Sequence, residues 1–224
     1  MTEVSLSARP FVCVSGLSKR FGSEWALARA TFALDRGDMA LLTGSNGSGK
    51  TTLIGCLSTS LVPDYGSGSV DGLDLVVDRD QIRKKIATLT HPAGFYGGLS
   101  PRENLRLTDT LLGLQRHSLI DSLLDRVGLA ARKDIALDAF SSGMKQRFAL
   151  ARLALVRREF ILLDEPETHL DSQGLRLLTE MIAEWKSAGA AIVCATHAPE
   201  RFRDVASQQI RLISGRPEET EAGA

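Results

Sequence analysis

Nine residues, GSNGSGKTT from Gly44 to Thr52, constrain this chain more than any other stretch. They fit G-x-x-x-x-G-K-[ST], a loop that wraps its backbone N–H groups around the phosphates of a nucleotide. Gly44, Gly47 and Gly49 tolerate backbone angles that bulkier residues avoid, so successive N–H groups can turn inward toward an anion. Ser45, Asn46, Ser48 and Thr52 complete the loop. Lys50 adds a mobile positive charge for the outer phosphates, and Thr51 offers a hydroxyl to Mg²⁺. A helix starting here would aim its positive end at the same phosphates. The surroundings agree: the apolar run Met39 to Thr43 reads as a buried strand entering the loop, and Leu53 to Leu57 continues as a helix.

A loop of this kind needs an α/β core around it, and 224 residues can bury one full core with a small inserted subdomain. The 27 basic and 27 acidic residues cancel, which argues against a surface that coats nucleic acid. No apolar run approaches the roughly 20 residues that cross a bilayer. The first residues, MTEVSLSARPF, lack the charged-then-apolar order of a secretory signal. Cys13, Cys56 and Cys194 stand apart in apolar stretches, as reduced core thiols of a cytosolic protein would.

Along the chain the pattern alternates. Phe11 to Val14, Ala26 to Leu34 and Asp38 to Thr43 read as strands, with turns at Gly16, Gly22 and Asp35-Arg36-Gly37. Pro63 to Gly68 reads as a turn-rich stretch, followed by a short hairpin over Ser69 to Leu73 and a strand over Ile86 to Thr90. From about residue 100 the leucines take helical spacing, from Leu105 to Leu114 and from Leu119 to Val127, with Gly128 as a stop; Gly143 to Arg157 reads as another helix. The runs Phe160 to Leu163 and Ala190 to Ala195 suit strands buried on both faces of a parallel sheet, with a helix over Leu170 to Lys186 between them. The expected organisation is one domain. Residues of about 9–90 and 158–216 form an α/β core with an N-terminal antiparallel β subdomain, residues of about 91–157 form an inserted helical subdomain, and residues 217–224 form a frayed tail.

Phosphate binding alone is not hydrolysis, which needs a metal held by a carboxylate and a group that orients water. Phe160-Ile161-Leu162-Leu163-Asp164-Glu165-Pro166 supplies both, because Asp164 falls at the carboxyl end of a buried strand, where α/β proteins bind ligands. Glu165, one residue on, points elsewhere and can polarise the attacking water. Phe140-Ser141-Ser142-Gly143-Met144-Lys145-Gln146-Arg147 opens a helix with hydroxyls and free N–H groups, which makes either an anion site or an ordinary helix cap. His197 follows a buried strand, where a histidine either reaches a terminal phosphate or is structural.

In this order and combination the chain resembles the ATP-binding subunit of ABC transporters over nearly its whole length. GSNGSGKTT matches the family's Walker A, FSSGMKQR its LSGGQ signature, and FILLDEP its Walker B with Glu165 as the catalytic carboxylate. His169-Leu170-Asp171 matches the D-loop and Ala195-Thr196-His197 the switch histidine, while Phe21 fits the aromatic position that stacks on adenine. The resemblance implies a P-loop fold with a parallel central sheet, ATP and Mg²⁺ as ligands, and catalysis by Glu165, His197 and Lys50. It assigns the metal to Thr51 and Asp164, and a γ-phosphate contact to Ser141, Ser142, Gly143 and Met144 of a second such subunit, in a homodimer or heterodimer. It also implies integral membrane permease subunits contacted near His91 to Gly98, and a peripheral location on the cytoplasmic face of the membrane.

The chain departs from the family in three places. His91 stands where the family has a glutamine that binds Mg²⁺; imidazole is a poor ligand for a metal that prefers oxygen, which puts a metal role in question and leaves coupling to a partner. Ser142 and Met144 replace the second glycine and the glutamine of the signature, and the D-loop segment Glu167 to Asp171 is unusually polar. Thr90-His91-Pro92 followed by Leu99 to Leu105 is similar to the haem-exporter subunits of cytochrome c maturation. The competing expectations are a soluble ATPase of the same class acting on nucleic acid or a protein assembly, and a regulatory subunit that turns over slowly. Against the first, there is no long coiled-coil insertion and no second such domain in the sequence. Against the second stand Asp164, Glu165 and His197.

Overall fold

The computed structural model describes residues 9–90 and 94–218; His91 lies outside the described residues. Its centre is a six-stranded sheet in the order β10 (Arg216–Pro217), β9 (Gln208–Ile213), β3 (Met39–Thr43), β8 (Ala191–Ala195), β7 (Phe160–Asp164) and β6 (Ile86–Leu89). Neighbouring strands are parallel throughout, except that β10 returns antiparallel on β9.

The uninterrupted apolar runs are explained by this burial. All five residues of β3, of β7 and of β8 are buried, and they alternate between two cores. Met39, Leu41, Ile161, Leu163, Ile192 and Cys194 pack toward one core. That core is shared with α3 (Pro101–Leu112), α4 (Ile120–Arg126), α5 (Ser142–Val156) and α6 (Ser172–Ser187). Ala40, Leu42, Phe160, Leu162, Ala191 and Val193 pack toward the other. It holds α1 (Lys50–Leu57), Ile82 of α2 (Arg79–Arg83) and a four-stranded antiparallel sheet. That second sheet runs β2 (Glu24–Leu34), β1 (Val12–Phe21), β4 (Tyr65–Val70) and β5 (Leu73–Asp74). Among the described residues no helix is long and apolar enough to cross a membrane.

Four expectations change. Gly16 is not a turn: it lies inside β1 with φ +61°, where the register with β2 shifts between Val14 and Leu17, as at a bulge. Residues 65–68 are strand, not turn, because β4 pairs with β1. Their glycines serve close approach: a Cβ on Gly66 would sit 2.4 Å from the Gly16 carbonyl. Pro217 and Glu218 do not fray: Pro217 pairs with Leu212, and the Glu218 N–H donates to the Arg211 carbonyl at 2.7 Å. Cys13 is exposed, whereas Cys56 and Cys194 are buried; burial pushes the Cys56 thiol up to about 11. β9 had no counterpart in the sequence reading. Its mixed run Gln-Gln-Ile-Arg-Leu-Ile lacks the continuous apolar signature of a central strand, since it lies toward the edge of the sheet beyond β3.

Candidate functional site

The loop from Gly44 to Thr52 leaves β3 and enters α1 at the carboxyl end of the parallel sheet. Its shape depends on missing side chains. A Cβ on Gly44, at φ +145°, would lie 2.3 Å from the Leu212 carbonyl, and one on Gly49, at φ +100°, would lie 2.3 Å from the Ala26 carbonyl. α1 therefore starts on a left-handed glycine, with no side-chain cap and no acidic residue in its first turn. Its free N–H groups and positive end remain available to an anion. Lys50 is only 5% exposed, and its ammonium donates to the Gly44 and Ser45 carbonyls at 2.9 and 3.0 Å, spanning the loop. Ser45, Asn46 and Gly47 form its exposed crest. Ser48 is buried behind it, its backbone carbonyl accepting from the Gly215 N–H at 3.1 Å; Thr51 is exposed and Thr52 half-buried.

Two strand ends bring the remaining groups to this loop. Asp164, the last residue of β7, accepts from the Thr51 hydroxyl at 2.9 Å. The pair is made of hard oxygen donors from two rigid elements, the donor chemistry that Mg²⁺ prefers, so these residues fit that metal. The next residue turns away: Glu165 has φ +50°, a strained value for a residue with a side chain, and its N–H is fixed to the Ala195 carbonyl at 2.8 Å. This turn aims its carboxylate at His197, whose Nε2 lies 2.8 Å from Glu165 Oε1. Phe21 ends β1 about half-exposed, with the Lys19 ammonium 5.8 Å from its ring centre. The β1–β2 hairpin that ends in Phe21 also brings the Ala26 carbonyl against Gly49.

The segment from Ser141 to Met144 is different. Among the described residues no hydrogen bond or ion pair joins it to residues 44–52. Ser141 caps α5, accepting from the Met144 N–H at 3.3 Å, and Ser141 and Ser142 are exposed. The segment packs instead on the stretch after β7: a Cβ on Gly143 would lie 2.7 Å from the His169 carbonyl. Gln146 donates to the Pro166 carbonyl at 2.8 Å, and Arg147 to Asp171 at 2.6 Å. Asp171 caps α6, and its carboxyl is held below the usual range, first by the Gly174 N–H and then by the Arg147 guanidinium.

Sequence reasoning assigned no role to Gln146, Glu167 or Thr196. Thr196 is fully buried and donates to Glu167, which also accepts from the His197 N–H at 3.3 Å. The polar residues after Asp-Glu-Pro were a visible signal, but their partners lie some thirty residues on and meet them only in the fold.

Residues 27–168 match the family model described as ABC transporter. The chain is 36% identical over 188 residues to the cytochrome c biogenesis ATP-binding export protein CcmA of Escherichia coli K12, covering 82% of this chain and 86% of that protein. A solved ATP-binding subunit of an ABC transporter superposes with a TM-score of 0.85 at 29% identity, covering 92% of this chain and 88% of that one. A dimeric ATP-binding cassette bound to ADP and Pi, in a post-hydrolysis state, shares the fold with a TM-score of 0.81 at 24% identity, covering 95% of this chain and all of that one. The chain belongs to the ABC transporter family, as an ATP-binding domain.

Proposed function

We propose that this chain hydrolyses ATP to ADP and phosphate and drives a membrane exporter, with haem in cytochrome c biogenesis as the transported group. The observation that carries the hydrolytic part is the Glu165–His197 pair at 2.8 Å, one residue beyond the Thr51–Asp164 pair. The similarity to CcmA supports haem export.

In this reading the N–H groups of residues 44–52 and the start of α1 hold the phosphates, Lys50 swings from its carbonyl partners to the outer phosphates, and Phe21 stacks on the adenine. Thr51 and Asp164 hold Mg²⁺, which neutralises phosphate charge when bound. Glu165 takes the proton of the attacking water, and His197 holds water and γ-phosphate in register. General-base help of this kind contributes about 10²–10⁴-fold, and the rest is positioning and charge stabilisation. Ser141, Ser142, Gly143 and Met144 reach the γ-phosphate of a second subunit, since among the described residues no hydrogen bond joins them to residues 44–52 and both serines are exposed. Permease subunits dock near His91 to Gly98 at the cytoplasmic face, and closure of the dimer on ATP is transmitted through the helices between β6 and β7.

The test is phosphate release by the purified protein over a range of concentrations. The rate should rise faster than linearly below the dimerisation constant, and Glu165→Gln should bind ATP, lose about a hundredfold or more in turnover, and accumulate as a closed dimer. Wild-type turnover in that variant would remove Glu165 as the base. Co-purification from membranes identifies the permease; absence of any integral membrane partner would overturn the transport reading.

A further inference from the structure

Glu167 stands out among the groups not yet given a task. It lies three residues after Asp164 and two after Glu165, so the sequence puts a third carboxylate beside a site that already holds two. Like charges at such spacing repel, and a partly buried carboxylate needs hydrogen bonds to offset its desolvation. They come from the end of β8. Glu167 Oε1 accepts from the Thr196 hydroxyl and from the backbone N–H of His197 at 3.3 Å. Thr196 in turn accepts from the Ala198 N–H at 2.9 Å, so one carboxylate and one hydroxyl fix the turn that carries the histidine. The Cys194 thiol, two residues before Thr196, is pushed up first by burial and then by the negative charges of Glu167 and Asp164.

Glu167 is itself fixed from the other side. Its carbonyl accepts from the Leu170 N–H at 3.2 Å, and the Pro166 carbonyl before it accepts from Gln146 of α5 at 2.8 Å. His169, two residues on, has φ +64° and lies against Gly143. A continuous set of contacts therefore runs from the first turn of α5, through residues 166–169, to the backbone of His197.

We propose that Glu167 is a positioning residue for the hydrolytic reaction: it holds the turn at the end of β8 so that the His197 ring stays in contact with Glu165. The inference rests on the hydrolytic reading of Glu165 and His197. It adds a route by which a shift of the α5 N-terminus, where a second subunit's nucleotide would sit, reaches the histidine of the same chain.

The test compares Glu167→Ala, Glu167→Gln and Thr196→Val in the full-length protein. Gln keeps an oxygen acceptor for both donors, whereas Ala keeps none. Glu167→Ala should lower kcat about tenfold to a hundredfold with little change in KM for ATP, as small misplacements of catalytic groups do. Glu167→Gln should recover most of that rate, and Thr196→Val should fall between. Nitrogen-15 histidine spectra, with His197 assigned by its absence in His197→Ala, should show the His197 ring signals moving in Glu167→Ala and staying in Glu167→Gln. Equal rates in the Ala and Gln variants, a loss confined to KM, or an unmoved His197 signal in Glu167→Ala would each overturn the proposal. Glu165→Gln is the control: if it turns over normally the hydrolytic reading itself fails, whereas an inactive Glu165→Gln beside a fully active Glu167→Ala removes only the role of Glu167.

Discussion

The loop from Gly44 to Thr52 and the turn from Ser141 to Met144 both open a helix with small polar residues, yet they are built for opposite situations. The loop is closed on itself: a five-residue buried strand feeds it, Lys50 spans it, and Thr51 is tied to the end of β7. Its helix has no side-chain cap, so the N–H groups stay available to a ligand. The turn caps its own helix through Ser141, leans on His169 and Pro166, and leaves both serines exposed. In the loop the one ammonium is held by the loop's own carbonyls, and the helix behind it starts without a side-chain cap. On the proposed reading the turn serves a neighbour, and its contacts within its own chain hold it in place without an anion.

The largest effect should break the loop. Lys50→Ala removes a charge-assisted contact worth about 1.5–3 kcal/mol, so ATP affinity should fall about tenfold to a hundredfold at every protein concentration, as measured by equilibrium binding. Loss of turnover with unchanged affinity would instead give Lys50 a purely catalytic role. The turn should fail differently. In Gly143→Ala the new methyl would lie 2.7 Å from the His169 carbonyl, which must shift. Turnover and ATP-driven dimerisation should drop, while ATP binding by the isolated subunit stays at the wild-type level. Equal damage to binding would mean that the turn belongs to the same chain's pocket.

The smallest effect is in acid. Asp171 ties the turn to α6 through Arg147, and its carboxyl titrates below the ordinary value of 3.8. A lowered folded value means that its contribution to stability is complete above that ordinary value and is lost as pH falls through the folded one. Because Asp171 is exposed, the contribution is small. Denaturation midpoints followed from about pH 5 to pH 3 should therefore show a slightly steeper loss in wild type than in Asp171→Asn. Identical slopes would remove Asp171 as a brace of the turn.

Much of the core was legible because burial on both faces writes itself as apolar runs: β3, β7 and β8 are found where those runs fall. Helices α3 and α4 followed from leucine spacing, and the start of α3 is reinforced by a capping box between Ser100 and Glu103. β4 and β9 were not legible. Residues 65–68 carry the composition of a turn, and only pairing with β1 makes them a strand; β9 is a mixed strand whose place comes from the register of β3.

The sequence by itself determined the chemistry: a glycine loop with Lys50 and Thr51, an Asp-Glu pair after a buried run, and a histidine after another. These are local patterns, in which spacing along the chain already sets which groups can act together. The tertiary structure decided the partnerships. Glu165 meets His197, Glu167 holds the turn beneath that histidine, and Gln146 of α5 bonds the Pro166 carbonyl, across separations of 20 to 32 residues. No local propensity encodes such contacts. Those between residues 165–167 and 196–197 follow from the parallel strands β7 and β8, which end side by side whatever the length of chain between them, and the α5 contact follows from that helix packing on the same sheet.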